Sequence, residues 1–93
     1  MYHFIGIKGA GMSSLAVIMK QLGYDVQGSD IAKHFFTEEE LIKNNIKITS
    51  YDKNNIKDGL IIIKGLSITE DNIELIEAKK RNLQIIDYNE MVG

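Results

Sequence analysis

The chain has no cysteine and no proline among its 93 residues. Without cysteine there is no disulfide framework and no thiolate zinc site, which fits a reducing compartment and makes the cytoplasm the expected location. Without proline, and with glycines spread through short turns, no linker, repeat or low-complexity segment stands out, so residues 1–93 are expected to fold as a single domain. Long hydrophobic runs are missing as well. The longest, Leu15 to Met19 and Leu60 to Ile63, are far too short to span a bilayer, and Met1 leads into a strand pattern rather than a signal peptide, so no membrane partner is expected. Charge of one sign is also lacking. Eleven basic against thirteen acidic residues give a net charge of -2, too balanced for a partner held by phosphate-backbone electrostatics, which argues against nucleic acid.

What is present alternates between strand and helix patterns. Residues 2 to 7, Tyr-His-Phe-Ile-Gly-Ile, are aromatic and β-branched and run into glycines, as a buried parallel strand ending in a tight turn does. From Met12 the apolar positions Leu15, Ala16, Met19 and Leu22 recur at helical steps, and Gly23 suits a helix C-cap, so a helix is expected over 11–22. A short strand at 24–28 closes a βαβ unit. Thr37 and Glu40 have capping-box spacing before a helix reaching Asn44, with Glu38, Glu39 and Glu40 at its positive end. Strands follow at 46–48 and 60–63, then a helix over 70–81 capped by Thr69 and burying Ile73, Ile76 and Ala78, then a strand at 83–86. Five strands alternating with three helices predict an α/β, Rossmann-like three-layer fold. Its parallel sheet takes the order 3-2-1-4-5, with helices on both faces.

A right-handed βαβ crossover places the first turn at the carboxyl edge of the sheet, where ligands of open α/β sheets bind. That turn, Gly6-Ile7-Lys8-Gly9-Ala10-Gly11, leads into a helix N-terminus, whose unpaired N–H groups and partial positive charge prepare an anion site. Two known patterns fail there at identifiable residues. A dinucleotide G-x-G-x-x-G needs glycine where Lys8 stands, and an ATP P-loop needs lysine where Met12 stands. What remains is a phosphate-facing turn with a cation, Lys8, and a hydroxyl, Ser13, which suits a diphosphate. Asp30, at the end of the second strand, is placed to accept hydrogen bonds from a ribose or base. His3 and His34 have no second ligand at metal spacing and are expected to be structural, and Met12 borders the turn.

The stretch His3-Phe4-Ile5-Gly6-Ile7-Lys8-Gly9-Ala10-Gly11-Met12-Ser13-Ser14-Leu15-Ala16, with Gly23-Tyr24 and Gly28-Ser29-Asp30, closely resembles the amino terminus of the UDP-N-acetylmuramate–L-alanine ligases of the Mur ligase family. Phe36-Thr37-Glu38, Asn54-Asn55-Ile56-Lys57 and Tyr88-Asn89 extend the likeness along the chain. Many members carry glycine where Lys8 stands, and a pair of serines where this chain has Lys64-Gly65-Leu66. The resemblance implies an ATP-dependent parent enzyme of peptidoglycan synthesis that uses magnesium and joins L-alanine to the lactyl carboxylate of UDP-N-acetylmuramate through an acyl phosphate. Its ATP and magnesium machinery would lie in central and C-terminal domains absent here, so this domain is expected to bind and not to catalyse. The expected substrate-binding residues are Gly6, Lys8, Gly9, Ala10, Gly11, Met12 and Ser13 for the diphosphate and Ser29, Asp30 and Ile31 for the uridine. Three rivals stand beside this expectation: an NAD-binding sensor or oxidoreductase domain, a related ligase adding a peptide to the same nucleotide sugar, and a module with no ligand.

Overall fold

In the computed structural model, which describes residues 1–92, the first strand, β1 (Tyr2–Ile5), takes the middle of the sheet. Its side chains alternate between faces, with Phe4 packed on one side and Ile5 on the other, both fully buried. The chain turns into α1 (Ala10–Gln21) and returns as β2 (Val26–Asp30), in register with β1 from Tyr2 opposite Val26 to Ile5 opposite Ser29. Then come α2 (Glu38–Lys43), β3 (Lys47–Ser50), a 3-10 turn (Lys53–Asn55), β4 (Ile61–Lys64), α3 (Ile73–Lys80), β5 (Gln84–Asp87) and α4 (Tyr88–Val92). Every strand pairing is parallel and the order is β3-β2-β1-β4-β5, the Rossmann-like arrangement that the strand and helix patterns predict.

Helices cover both faces. On one, Phe4, Val26 and Ile63 meet Met12, Ala16 and Met19 of α1 and Leu41 of α2, with Tyr88 and Met91 of α4 against the edge. On the other, Ile5 and Ile62 meet Leu75 and Ala78 of α3 and Ile56 beyond the 3-10 turn. Ile62 and Ile63 thus enter opposite cores, which is why the run from Leu60 to Ile63 is unbroken rather than alternating. Burying each such side chain stabilises the fold by roughly 1.5–3 kcal/mol.

Three helices end alike. Gly23, Asn45 and Asn82 take left-handed backbone angles, and the next residue donates back across the last turn: Tyr24 to Met19, Ile46 to Leu41 and Leu83 to Ala78. Each ending delivers the chain directly to the next strand. The first of them also explains why β2 spans Val26–Asp30 and not 24–28, since Gly23 and Tyr24 are consumed in terminating α1.

Four expectations are corrected. There are four helices among the described residues and not three, because Tyr88–Val92 coils immediately after β5. The first strand stops at Ile5 instead of residue 7, since the Gly6 and Ile7 amides both bend to donate to the Ser29 carbonyl, at 2.9 and 3.1 Å. The Thr37–Glu40 capping box does not form: the Thr37 hydroxyl donates to the Lys8 carbonyl at 2.7 Å, and Glu38 instead reaches back to the Phe35 amide. The helix expected over 70–81 begins at Ile73, capped by Asn72, whose side chain accepts from the Glu74 and Leu75 amides at 2.9 and 3.2 Å. Its buried face is Glu74, Leu75 and Ala78, and Ile73 and Ile76 are each 50% exposed. The inward residue is an acid, so a search for apolar spacing misjudges which side of the helix faces the sheet.

Gly28 allows β2 to lie against the β1–α1 turn. A Cβ there would sit 2.7 Å from Ile7 Cβ and 2.9 Å from the Phe4 carbonyl, both too rigidly held to move away. Gly28→Ala is therefore expected to destabilise the chain by about 1–3 kcal/mol, read as a lower urea midpoint at unchanged slope; an unchanged midpoint would show that turn and strand separate freely.

Candidate functional site

The carboxyl ends of the strands open into a cleft of about 570 Å³. One wall is the β1–α1 turn. Gly6 takes φ +89°, a conformation that a residue with a Cβ rarely adopts, and this swings Lys8, Gly9 and Ala10 to the cleft. Helix α1 then starts with no side-chain cap and no acidic residue in its first turn. The Gly9 amide donates to the Gly6 carbonyl at 3.3 Å and that of Ser13 to the Gly9 carbonyl at 2.8 Å, whereas the Ala10, Gly11 and Met12 amides meet no acceptor among the described residues. Three unpaired donors thus face out at the positive end of a twelve-residue helix.

The glycines of the turn have different causes. Gly6 needs its positive φ. Gly11 needs the space taken by Tyr88 of α4, since a Cβ there would lie 2.7 Å from Tyr88 Cζ. Gly9 has no such need: its φ is -60° and a Cβ would meet its nearest neighbour in the chain at 3.6 Å, an ordinary contact. Its lack of a side chain leaves the approach to the free amides open.

The second wall is the end of β2 and the loop beyond it. Asp30 accepts from the Lys8 amide at 2.8 Å through Oδ2 and from the Ile31 amide at 2.7 Å through Oδ1, which fixes its carboxylate at the cleft with acceptor capacity left on both oxygens. Exposed Ile31 and Phe36, with Phe35 and Thr37, continue this wall. The far side comes from Tyr51 after β3 and from Ser67, Ile68, Thr69 and Asn72 between β4 and α3. Burial, then the charges of Asp30 and Glu74, push the Tyr51 phenol up to about 12, so it remains a protonated donor at neutral pH.

Below Tyr51 lies a buried polar network. Glu74 Oε1 takes hydrogen bonds from His3 Nε2 at 2.7 Å and from the Ser29 hydroxyl, and Oε2 from Asn55 Nδ2 at 2.8 Å and the Asp52 amide at 3.0 Å. Gln27 Nε2 donates to His3 Nδ1 at 2.9 Å, which suits the tautomer with the proton on Nε2. Burial alone would raise the Glu74 pKa, but the donors from His3, Ser29, Asn55 and the Asp52 amide together hold it below the usual carboxylate range. The network ties β1, β2 and α3 to the segment that carries Tyr51.

The residues expected in the site divide accordingly. Gly6, Lys8, Gly9, Ala10, Asp30 and Ile31 line the cleft. Gly11 lies beneath Tyr88, and the Met12 side chain packs in the core. The Ser13 hydroxyl bonds the Ala10 carbonyl of its own helix at 3.0 Å. Ser29 does not face the cleft: its hydroxyl points to the α3 side of the sheet, drawn there by Glu74 and His3. The Lys8 ammonium is turned to the loop after β2, where it donates to the Ile31 and Lys33 carbonyls at 2.9 and 2.8 Å, with Glu38 Oε2 at 3.4 Å. His3 is structural, as expected, and His34 is an exposed partner of Glu38 at 3.1 Å. Lys64 pairs with Asp87 across β4 and β5, leaving Ser67 and Thr69 as hydroxyls at the cleft. Tyr51, Ile68 and Asn72 were not anticipated. Their signal was positional, since each follows the carboxyl end of a strand, where ligands bind in such sheets.

The family model described as "Mur ligase family, catalytic domain" matches residues 1–93. This chain belongs to the Mur ligase family. Among solved structures it is similar to a UDP-N-acetylmuramate–alanine ligase from Thermotoga maritima, with TM-score 0.89 and 30% identity over 98% of this chain. It also matches a murein peptide ligase from Psychrobacter arcticus, with TM-score 0.74 and 25% identity over 90% of the chain. It shares its fold with a UDP-N-acetylmuramate:L-alanyl-γ-D-glutamyl-meso-diaminopimelate ligase from Neisseria meningitides, with TM-score 0.80 and 22% identity over 98% of the chain. The chain spans only 21%, 18% and 29% of these three proteins respectively.

The residues described here do not fit the ATP and magnesium that the family resemblance implies. No G-K-[ST] segment occurs in the sequence, and no group of three or more His, Cys, Asp or Glu residues gathers as metal ligands among the described residues. No described helix is long and apolar enough to cross a membrane.

Because the folded pKa of Glu74 lies below its unfolded value of about 4.3, the stability it contributes is complete above that value. It is lost as pH falls through the folded pKa. Glu74→Gln is expected to cost about 1–3 kcal/mol at pH 7 and to flatten the acid limb of the stability profile, measured by urea unfolding at a series of pH values. A variant whose acid limb matches wild type would remove Glu74 from the acid transition.

Proposed function

We propose that this domain binds the UDP part of UDP-N-acetylmuramate for an ATP-dependent ligase of peptidoglycan synthesis. The diphosphate rests on the Ala10, Gly11 and Met12 amides, the Asp30 carboxylate accepts from the ribose, and the uridine lies along Ile31 and the loop after β2. The observation that carries this reading is the uncapped start of α1 opening on the cleft behind Gly9, a glycine that the chain's own packing does not require. A doubly charged diphosphate suits that place, because helix-terminal donors and the helix dipole act on it together. The domain supplies substrate binding, and ATP and magnesium are handled by central and C-terminal domains of a longer parent. That division is supported by the short span of this chain on its neighbours and by the lack of a P-loop in it. The 30% identity to the alanine ligase favours L-alanine as the added residue over a peptide.

An NMR amide-shift titration tests this with UDP-N-acetylmuramate, UDP and NADH in parallel. Saturable shifts at residues 9–12 and 30–31 are expected with both uridine ligands and not with NADH; a response to NADH alone would move the domain to the dinucleotide-sensing class. Gly9→Ala separates ligand from fold. It is expected to leave stability within about 1 kcal/mol of wild type, the lost chain entropy of glycine offsetting alanine's weaker capping, and to weaken UDP binding, as read by thermal unfolding and calorimetry. Undiminished affinity would place the diphosphate elsewhere.

A further inference from the structure

Lys8 is 6% exposed, and its ammonium has three N–H donors. Three acceptors surround it: the Ile31 carbonyl at 2.9 Å, the Lys33 carbonyl at 2.8 Å and Glu38 Oε2 at 3.4 Å. All belong to the segment between the end of β2 and the first turn of α2. The backbone of Lys8 repeats the connection, its N–H donating to Asp30 and its carbonyl accepting from Thr37. The Phe35 ring lies 5.8 Å from the Lys8 Nζ and 5.7 Å from that of Lys33, a cation on the ring from each. The residues from Ile31 to Thr37 have no strand or helix of their own, yet they form an aromatic wall of the cleft whose outermost member, Phe36, is 82% exposed. A free segment of this kind would lose conformational entropy on ligand binding, and one already tied down does not.

We propose that Lys8 is a positioning residue: its ammonium pins the loop of residues 31–37 to the glycine turn and so preforms the Phe35–Phe36 wall of the cleft, instead of contacting the substrate's phosphates. A phosphate oxygen could recruit the ammonium only by displacing one of its three acceptors. Glu38 acts in the same tie from the other side, joining the Lys8 ammonium to the Phe35 amide. The effect on affinity rests on the cleft being the UDP-substrate site, whereas the effect on the loop does not.

Lys8 and Glu38 carry opposite charges, so they separate the two roles by sign. The experiment compares wild type, Lys8→Met and Glu38→Ala as the 93-residue chain. It reads 15N order parameters without ligand, and UDP-N-acetylmuramate affinity at low and moderate salt. Both variants are expected to lower the order parameters of residues 31–36 from about 0.85 to below about 0.6 while those of β1 and β4 stay unchanged. Both should also weaken binding by about three- to tenfold, with the salt dependence of wild type. The proposal is overturned if the loop stays ordered in both variants. It is equally overturned if Lys8→Met weakens binding with a shallower salt dependence while Glu38→Ala strengthens it, the pattern of a direct phosphate charge. Should Lys8→Met not fold, Glu38→Ala decides by the same two readouts. A wild-type chain that binds no UDP substrate removes the site reading, and the order parameters still decide whether Lys8 holds the loop.

Discussion

The hydrogen bond from the Lys8 amide to the Asp30 carboxylate joins the two segments on which the cleft depends. Gly6 has just turned the chain out of β1 with a left-handed backbone, and the bond fixes where that turn meets the end of β2. The Gly6 and Ile7 amides on the Ser29 carbonyl reinforce the same junction from the strand side. With the turn held, α1 begins at the cleft wall with its first amides unpaired, and Asp30 presents its remaining acceptor capacity at the same cleft. A small clearance makes the junction intolerant of added volume, since β2 approaches Ile7 and the Phe4 carbonyl through Gly28.

The opposite face of the sheet is organised by a buried carboxylate rather than by apolar contacts alone. Glu74 is fully buried and accepts from His3, Ser29, Asn55 and the Asp52 amide, so its desolvation is offset by four donors from three separate segments, β1, β2 and the 3-10 turn after β3. Such a network gives α3 one rotation about its axis, because only that rotation brings Glu74 to β1 and β2. It also holds the segment after β3, and with it Tyr51, at the rim of the cleft. The fold and the cleft are therefore connected through polar groups that do not themselves line the cleft.

Within the site, charge and shape are separated. The positive potential facing the cleft comes from helix-terminal amides, while the nearby lysine is committed to the loop that forms the opposite wall. An arrangement in which backbone donors are left free and a side-chain cation orders the surroundings lets the wall stand before any ligand arrives.

The five parallel strands and their order were legible in the sequence because local patterns determine them: β-branched runs ending in glycine, helical spacing between them, and the right-handed crossover that leaves few topologies. The tight turn from β1 into an uncapped helix start was legible for the same reason, as a glycine-rich strand-to-helix connection states its own backbone geometry. Side-chain direction was not. Ser29 and Asp30 are adjacent in β2, and the alternation of a strand sends them to opposite sides, one to Glu74 and one to the cleft. Glu74 reads as a surface acid until His3, 71 residues away, is brought against it. Lys8 reads as a free cation until the carbonyls of Ile31 and Lys33 fold back over it. The sequence by itself determined the backbone path and the edge of the sheet at which the glycine turn and the cleft lie, since these follow from local propensity. Only the tertiary structure decided which polar side chains face that edge, because their partners are distant in the chain and their energies depend on burial.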